Sequence, residues 1–191
     1  MKTNEHDFYS EIANWSFEDI DYTSEVITNW IYEDEIKKRV KENTKILDLG
    51  TAAGEKVLKN FPNCAEILGT DFSDEMIETA NKNLLQSGRK NISFRVMDNL
   101  KMDTSENYFD LVTARHTIID PLQIYKTLKK GGQLVIRGVD KLDCWSLKRM
   151  FKRGQAYHDV KPISLIDYEA IMDAGFKEVE LIPLHVIEYY N

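Results

Sequence analysis

"KILDLGTAAGEKVL", residues 45–58, passes from a short apolar strand, through an acid and a glycine, into a turn of small residues and then a helix. The rest of the chain repeats that alternation. Strand-like runs recur at Glu66–Asp71, Asn91–Met97, Phe109–Ala114 and Gln133–Val139, after the first at Lys45–Leu49, with helix-like runs between them. The clearest helix is Asp74–Gln86: Ser73 is its N-cap, two acids occupy its first turn, and Gly88 stands just past its end. Ahead of the first strand, residues 5–42 read as helical, with Val26, Ile27, Trp30 and Ile31 at helical spacing. Strands alternating with helices imply crossover units and a parallel sheet. The predicted class is α/β, doubly wound, with a mostly parallel sheet and an N-terminal helical segment.

Composition limits the alternatives. A chain of 191 residues suits one domain and can bury a proper core. Hydrophobic residues make up 42%, which excludes a disordered chain. No apolar run approaches the roughly 20 residues needed to cross a bilayer. "MKTNEHDFYS" at the start carries no apolar signal core, so the expected location is the cytoplasm. There Cys64 and Cys144 would stay reduced thiols. The net charge of −7 argues against a general nucleic-acid binder. His6, His158 and His185 share no ligand spacing with one another or with cysteine, and no metal is predicted. With no repeat or linker, residues 1–191 read as one domain: a helical front at 1–43, a core at 44–140 and a variable last part at 141–191.

In such a sheet, ligands sit beyond the carboxyl ends of the strands, where strand order reverses. The first strand ends at Asp48-Leu49-Gly50-Thr51-Ala52-Ala53-Gly54 and the second at Asp71, about 20 positions after Gly50. The third ends at Asp98 and the fourth at Arg115-His116. Acids are poor strand residues. Three of them closing three strands read as ligand recognition; the alternative is that each acid only caps the helix that follows.

The loop spacing G-x-x-x-G is neither a phosphate loop, which needs Lys-Ser or Lys-Thr, nor the dinucleotide pattern G-x-G-x-x-G. Asp48 stands where a pyrophosphate would approach, and the two anions would repel. An acid there suits a cationic ligand. S-adenosylmethionine offers an ammonium, a sulfonium, a ribose diol and an adenine. Asp48 would serve the amino-acid end, Asp71 the diol and Asp98 the adenine amino group. With no pyrophosphate to admit, the turn can carry Ala52 and Ala53 in place of glycine, provided their backbone angles stay in allowed regions.

Residues 44–138 resemble a class I S-adenosylmethionine-dependent methyltransferase. "ILDLGTAAG" is similar to that family's first motif and "ILGTDFSDEMIETA" to its second-strand segment; "FRVMDNL", "NYFDLVTARHTI" and "LKKGGQLVIRG" match later ones. The resemblance implies a Rossmann-like fold with an N-terminal helical lid. It also implies cofactor contacts at Asp48, Gly50, Thr51, Ala52, Gly54, Asp71, Phe72, Met76, Asp98, Asn99 and Arg115. "DAGFKEVEL" fits the family's usual sixth strand. Ala52 departs from its middle glycine, and only "LHVIEYYN" remains after Pro183 for a seventh strand. Either Pro183 turns into a short last strand, or that strand is absent and an edge is exposed.

Acceptor signals are thinner. Methyl transfer in this class often rests on proximity and alignment, and the end of the fourth strand lacks the Asn-Pro-Pro-Tyr type of motif that marks base amino groups. His116 is the candidate base, with an ordinary pKa near working pH; the alternative is a structural histidine. Phe8, Tyr9, Ile12 and Trp15 form one apolar face that reads as lid or as plain packing. Trp145, Tyr157 and His158 lie in the segment where such families vary most. In "LKRMFKRG", residues 147–154, Leu147, Met150 and Phe151 are spaced to face inward on a helix. Lys148 with Lys152 and Arg149 with Arg153 would then be like-charge neighbours that an anionic acceptor could relieve. The expected substrate residues are Tyr9, Trp15, Trp145, Arg149, Arg153, Tyr157 and His158, and the expected acceptor is a small molecule. An RNA or protein methyltransferase and a non-catalytic binding module are the other readings.

Overall fold

Successive strand residues point to opposite faces, and in this chain both faces are apolar, as a sheet covered on both sides requires. The computed structural model describes residues 22–190. In chain order the elements are β1 (Tyr22–Val26), α1 (Tyr32–Arg39), β2 (Lys45–Leu49), α2 (Glu55–Asn60), β3 (Glu66–Asp71), α3 (Asp74–Ser87), β4 (Ile92–Val96), β5 (Phe109–Arg115), α4 (Pro121–Thr127), β6 (Leu128–Arg137), α5 (Trp145–Phe151), α6 (Ile163–Asp173) and β7 (Val186–Tyr190). Strands β2 to β6 form one sheet in the order β4-β3-β2-β5-β6, with every neighbouring pair parallel. Ile46, Ile67, Leu111 and Val135 bury one face against Tyr32 and Ile36 of α1, Val57 of α2, and Ile77 and Ala80 of α3. Leu47, Leu49, Val112 and Ala114 bury the other against Ile124 of α4. The sheet is doubly wound, and its order reverses between β2 and β5.

Local signals act as read. Ser73 Oγ accepts from Met76 N, and Gly88 takes the left-handed cap with φ 67°. Asp120 caps α4 by accepting from the Leu122 and Gln123 amides, with Pro121 in the first turn.

Four expectations are corrected. The front is not helical throughout: residues 22–26 form β1, and the helix spans only Tyr32–Arg39. Val26 and Ile27 are more than half exposed, so their spacing marks no buried helical stripe. The rest of the predicted front helix and lid, residues 5–21, lies outside the described residues. No strand forms in "DAGFKEVEL", which leaves α6 as a turn and continues irregularly. A short last strand does follow Pro183, yet β7 pairs antiparallel with β1 in a separate two-stranded sheet, leaving β6 at the edge of the main one. Finally, β6 begins at Leu128 rather than Gln133. A bulge between the pairs Phe109–Leu128 and Leu111–Gln133 absorbs the Lys-Lys-Gly-Gly stretch, with Gly131 at φ 78°.

Candidate functional site

At the reversal point β2 and β5 end side by side, and Asp48 is the register partner of Thr113. The Thr113 hydroxyl donates to Asp48 Oδ1 at 2.6 Å. Burial pushes the Asp48 carboxyl up to about 6, against the hydroxyls of Thr113 and Thr51 and the charge of Arg115. Tyr32 of α1 is buried over the same row. Its phenol is pushed well above the ordinary value by burial and then by Asp48.

The following loop is held from several sides. Thr51 N donates to Thr70 O at 2.9 Å, and Gly54 N to Thr51 O at 3.0 Å. Ala52 N donates to Asp71 Oδ2 at 3.0 Å, and Asn83 Nδ2 to Ala53 O at 2.9 Å. Gly54 has φ 77°, and a Cβ on it would stand 2.6 Å from the Phe94 ring, so only glycine fits there. Ala52 sits at φ 48°. The alanine is therefore tolerated in the left-handed region, at a steric cost, rather than in an ordinary one. Ala52→Gly should relieve that strain, raising stability by about 0.5–1 kcal/mol and the melting temperature by roughly 1–4 °C. A thermal melt checks this; an unchanged or lower midpoint would mean that unfolded-state entropy cancels the gain.

Asp71 is committed within the protein. Its second oxygen, Oδ1, accepts from Ser73 N at 3.1 Å, so one carboxylate ties the β2 loop to the start of α3. Asp98 does not close its strand: β4 stops at Val96, and Asp98 is exposed, with Oδ1 accepting from Leu100 N. Phe72 is exposed, whereas Met76 is buried in the first turn of α3. Asn99 Nδ2 donates to Thr117 Oγ1 at 3.0 Å and to Ile118 O, while its own Oδ1 is buried with no partner among the described residues. The Thr117 side chain fills the space beside Gly50, which has φ 70°.

His116 follows β5 in a left-handed conformation, φ 53°, with its amide bonded to Arg137 O at 2.8 Å. Partial burial, then the charges of Arg115 and Arg137, push its imidazole down to about 4. The expectation of a pKa near working pH is corrected: His116 is neutral at pH 7, free to accept a proton but a weak base.

The substrate-side residues are scattered. Tyr9 and Trp15 lie outside the described residues. Trp145 packs at a tilt against Tyr157 with ring centroids 5.8 Å apart, and Tyr157 meets His158 edge-on at 4.8 Å. Among the described residues no hydrogen bond or ring contact joins this group to His116 or to the 50–54 loop. The orientation of α5 is also corrected. Leu147, Met150 and Phe151 are exposed, and the buried residue is Lys148, whose ammonium donates to the carbonyls of Lys141 and Asp140. Lys152 caps the helix in the left-handed region, so Arg149 and Arg153, both exposed, are not neighbours on one helical face. Thr113, Tyr32, Thr117 and Arg137 were missed; counting register outward from Asp48 finds Thr113.

Carboxylates at Asp48 and Asp71, an exposed one at Asp98 and an unpaired carbonyl on Asn99 suit a ligand rich in hydroxyl, amino and cationic groups. They repel a pyrophosphate. Among the described residues no three potential metal ligands converge, and no helix is long and apolar enough to cross a membrane.

This geometry defines a doubly wound α/β domain with acceptor groups gathered at its sheet reversal. Residues 40–175 match the family described as a methyltransferase domain. The chain belongs to that family, and its fold is the Rossmann-like fold of class I S-adenosylmethionine-dependent methyltransferases. It is 31% identical over 159 residues to phosphoethanolamine N-methyltransferase 3 of Arabidopsis thaliana, a match covering 73% of this chain and 30% of that one. It is 30% identical over 114 residues to a ubiquinone/menaquinone biosynthesis C-methyltransferase of Geotalea daltonii, covering 52% and 48%. A solved S-adenosylmethionine-dependent methyltransferase from Aquifex aeolicus shares the fold, with TM-score 0.63 over 98% of both chains at 17% identity. The chain spans roughly a quarter to a third of the length of the first curated relatives it matches.

Proposed function

We propose that this chain transfers a methyl group from S-adenosylmethionine to an oxygen or nitrogen of a small-molecule acceptor. The observation that supports it best is the set of acceptors about the 50–54 loop: Asp48 at its start, Asp71 bonded to Ala52 N, and Asn99 bonded to Thr117 beside Gly50. When bound, the cofactor supplies an activated methyl group. Asp48 would hold its ammonium, and the free lone pairs of Asp71 its ribose diol; Phe72, Asp98 and Asn99 would flank the adenine. His116, neutral and one residue past β5, would take the proton where the acceptor group carries one. Relatives named as a phosphoethanolamine N-methyltransferase and a ubiquinone/menaquinone biosynthesis C-methyltransferase support a small acceptor.

Calorimetry with S-adenosylhomocysteine and with NAD tests the cofactor; tight NAD binding without the former would sink the reading. A labelled-methyl screen over metabolites and total RNA then tests the acceptor, and methylation of RNA alone would refute a small molecule. With the true acceptor, His116→Ala should lower kcat about 10²-fold, the low end for general-base catalysis, because a base of pKa about 4 is weak. An unchanged rate would leave alignment alone as the source of catalysis.

A further inference from the structure

Beyond the Asp48–Thr113 row, the next residues outward on the same sheet face are both arginines. Arg115 closes β5, Arg137 closes β6, and they are register partners. Cross-strand neighbours stand about 5 Å apart, and like charges directly opposite one another destabilise a sheet. Both residues are partly buried, which makes the repulsion costlier than on an open surface. Among the described residues neither guanidinium forms a salt bridge, and Arg115 Nε is buried with no acceptor. Glu33 of α1 acts on Arg137 from a distance, and burial and Arg115 hold the Arg137 guanidinium below its ordinary value. Asp48 is the anion acting with Arg115, but in the proposed complex that carboxylate faces the cofactor's ammonium. The arginine pair is then left with an excess of positive charge, beside His116.

We propose that Arg115 and Arg137 form an oxyanion site for the acceptor, taking a phosphomonoester group at the ends of β5 and β6. The proposal rests on the methyltransferase reading and names the acceptor's chemical class. Two guanidiniums on adjacent strands present two forks of N–H donors. A tetrahedral dianion can fill both at once, whereas a carboxylate fills one. The site also relocates the acceptor's charge recognition. The basic stretch at 147–154 is not part of it: Lys148 is engaged by carbonyls, and Arg149 and Arg153 are exposed.

Inorganic phosphate is the probe, titrated into the protein saturated with S-adenosylhomocysteine and followed by calorimetry and by the Arg Nε–Hε and His116 resonances. Phosphate should bind more tightly than acetate and should move the Arg115, Arg137 and His116 signals together. Arg137→Gln should weaken phosphate at least tenfold while S-adenosylhomocysteine affinity stays within twofold, which also shows that the variant is folded. Arg137→Lys, which keeps the charge and loses the fork, should fall between. Arg149→Gln should change neither affinity. Equal phosphate binding by wild type and Arg137→Gln overturns the site, as does acetate binding as well as phosphate. Failure of S-adenosylhomocysteine to bind the wild type overturns the cofactor reading instead, and the phosphate titration of the free protein then tests the arginine pair on its own.

Discussion

Replacing Asp71 by alanine is expected to cost about 3 kcal/mol of folding stability with no cofactor present. Both carboxylate oxygens accept from backbone amides, Oδ2 from Ala52 and Oδ1 from Ser73. A hydrogen bond to a charged acceptor contributes about 1.5–3 kcal/mol, and the orphaned amides are costly where water reaches them poorly. Water entering the vacated space recovers part of the loss, which places the total near the lower end of the range for two bonds. The cofactor effect comes on top, because the same carboxylate sets the loop over which the ligand would lie. Urea unfolding with and without S-adenosylhomocysteine separates the two contributions. Asp71→Asn keeps one acceptor and turns an amide group toward the other N–H, so it should lose more than half as much. A loss under about 1 kcal/mol in the alanine variant would mean that the loop amides find other partners and that Asp71 acts on the ligand alone.

Asp71 also shows where reading the sequence stops. An acid at a strand end looks the same whether it receives a ribose or two backbone amides; only three-dimensional placement distinguishes them. What was legible is local. The bounds of β2 and β3 follow from short apolar runs closed by acids, and α3 from its Ser73 cap and Gly88 stop. What was not legible is non-local. Tyr22–Val26 finds its partner at Val186–Tyr190, and no periodicity within five residues reports a partner at the other end of the chain. In α5 the inward residue is Lys148 because the carbonyls of Lys141 and Asp140 lie beneath it, which inverts the apolar pattern of Leu147, Met150 and Phe151. The pairing of Arg115 with Arg137 needed the register across the bulge, and Gly131-Gly132 hid that register in the sequence.

Cofactor affinity is expected to fall about tenfold for each pH unit below about 6 and to level off above pH 7, because Asp48 must be ionised to hold an ammonium. Burial raises this carboxyl to about 6 from an ordinary value of 3.8. Below about pH 6 the free protein therefore carries a proton there that a bound cation would have to expel. The same shift has an opposite consequence for folding. Between pH 4 and 6 the folded state holds a proton that the unfolded chain has released, so Asp48 makes stability fall as pH rises through that window. Raising the carboxyl that far corresponds to about 3 kcal/mol. His116, held at about 4 against an ordinary 6.5, acts the other way. The fold binds fewer protons than the unfolded chain there, so its share of stability grows as pH rises; exposure keeps that share small. Asp48→Asn isolates the acid, since the amide oxygen can still accept from Thr113. The variant should be more stable than wild type at pH 8, by up to about 3 kcal/mol, while binding the cofactor more weakly there and without the acid slope. Calorimetric titrations from pH 5 to 8, paired with urea unfolding at each pH, read both effects. If wild-type affinity were flat across that range, Asp48 would be a buried structural acid bonded to Thr113, and the cofactor's positive charge would have to be met elsewhere in the site. If affinity rose with pH while Asp48→Asn gained no stability, the acid would touch the ligand without the burial that its place between Thr113 and Tyr32 implies.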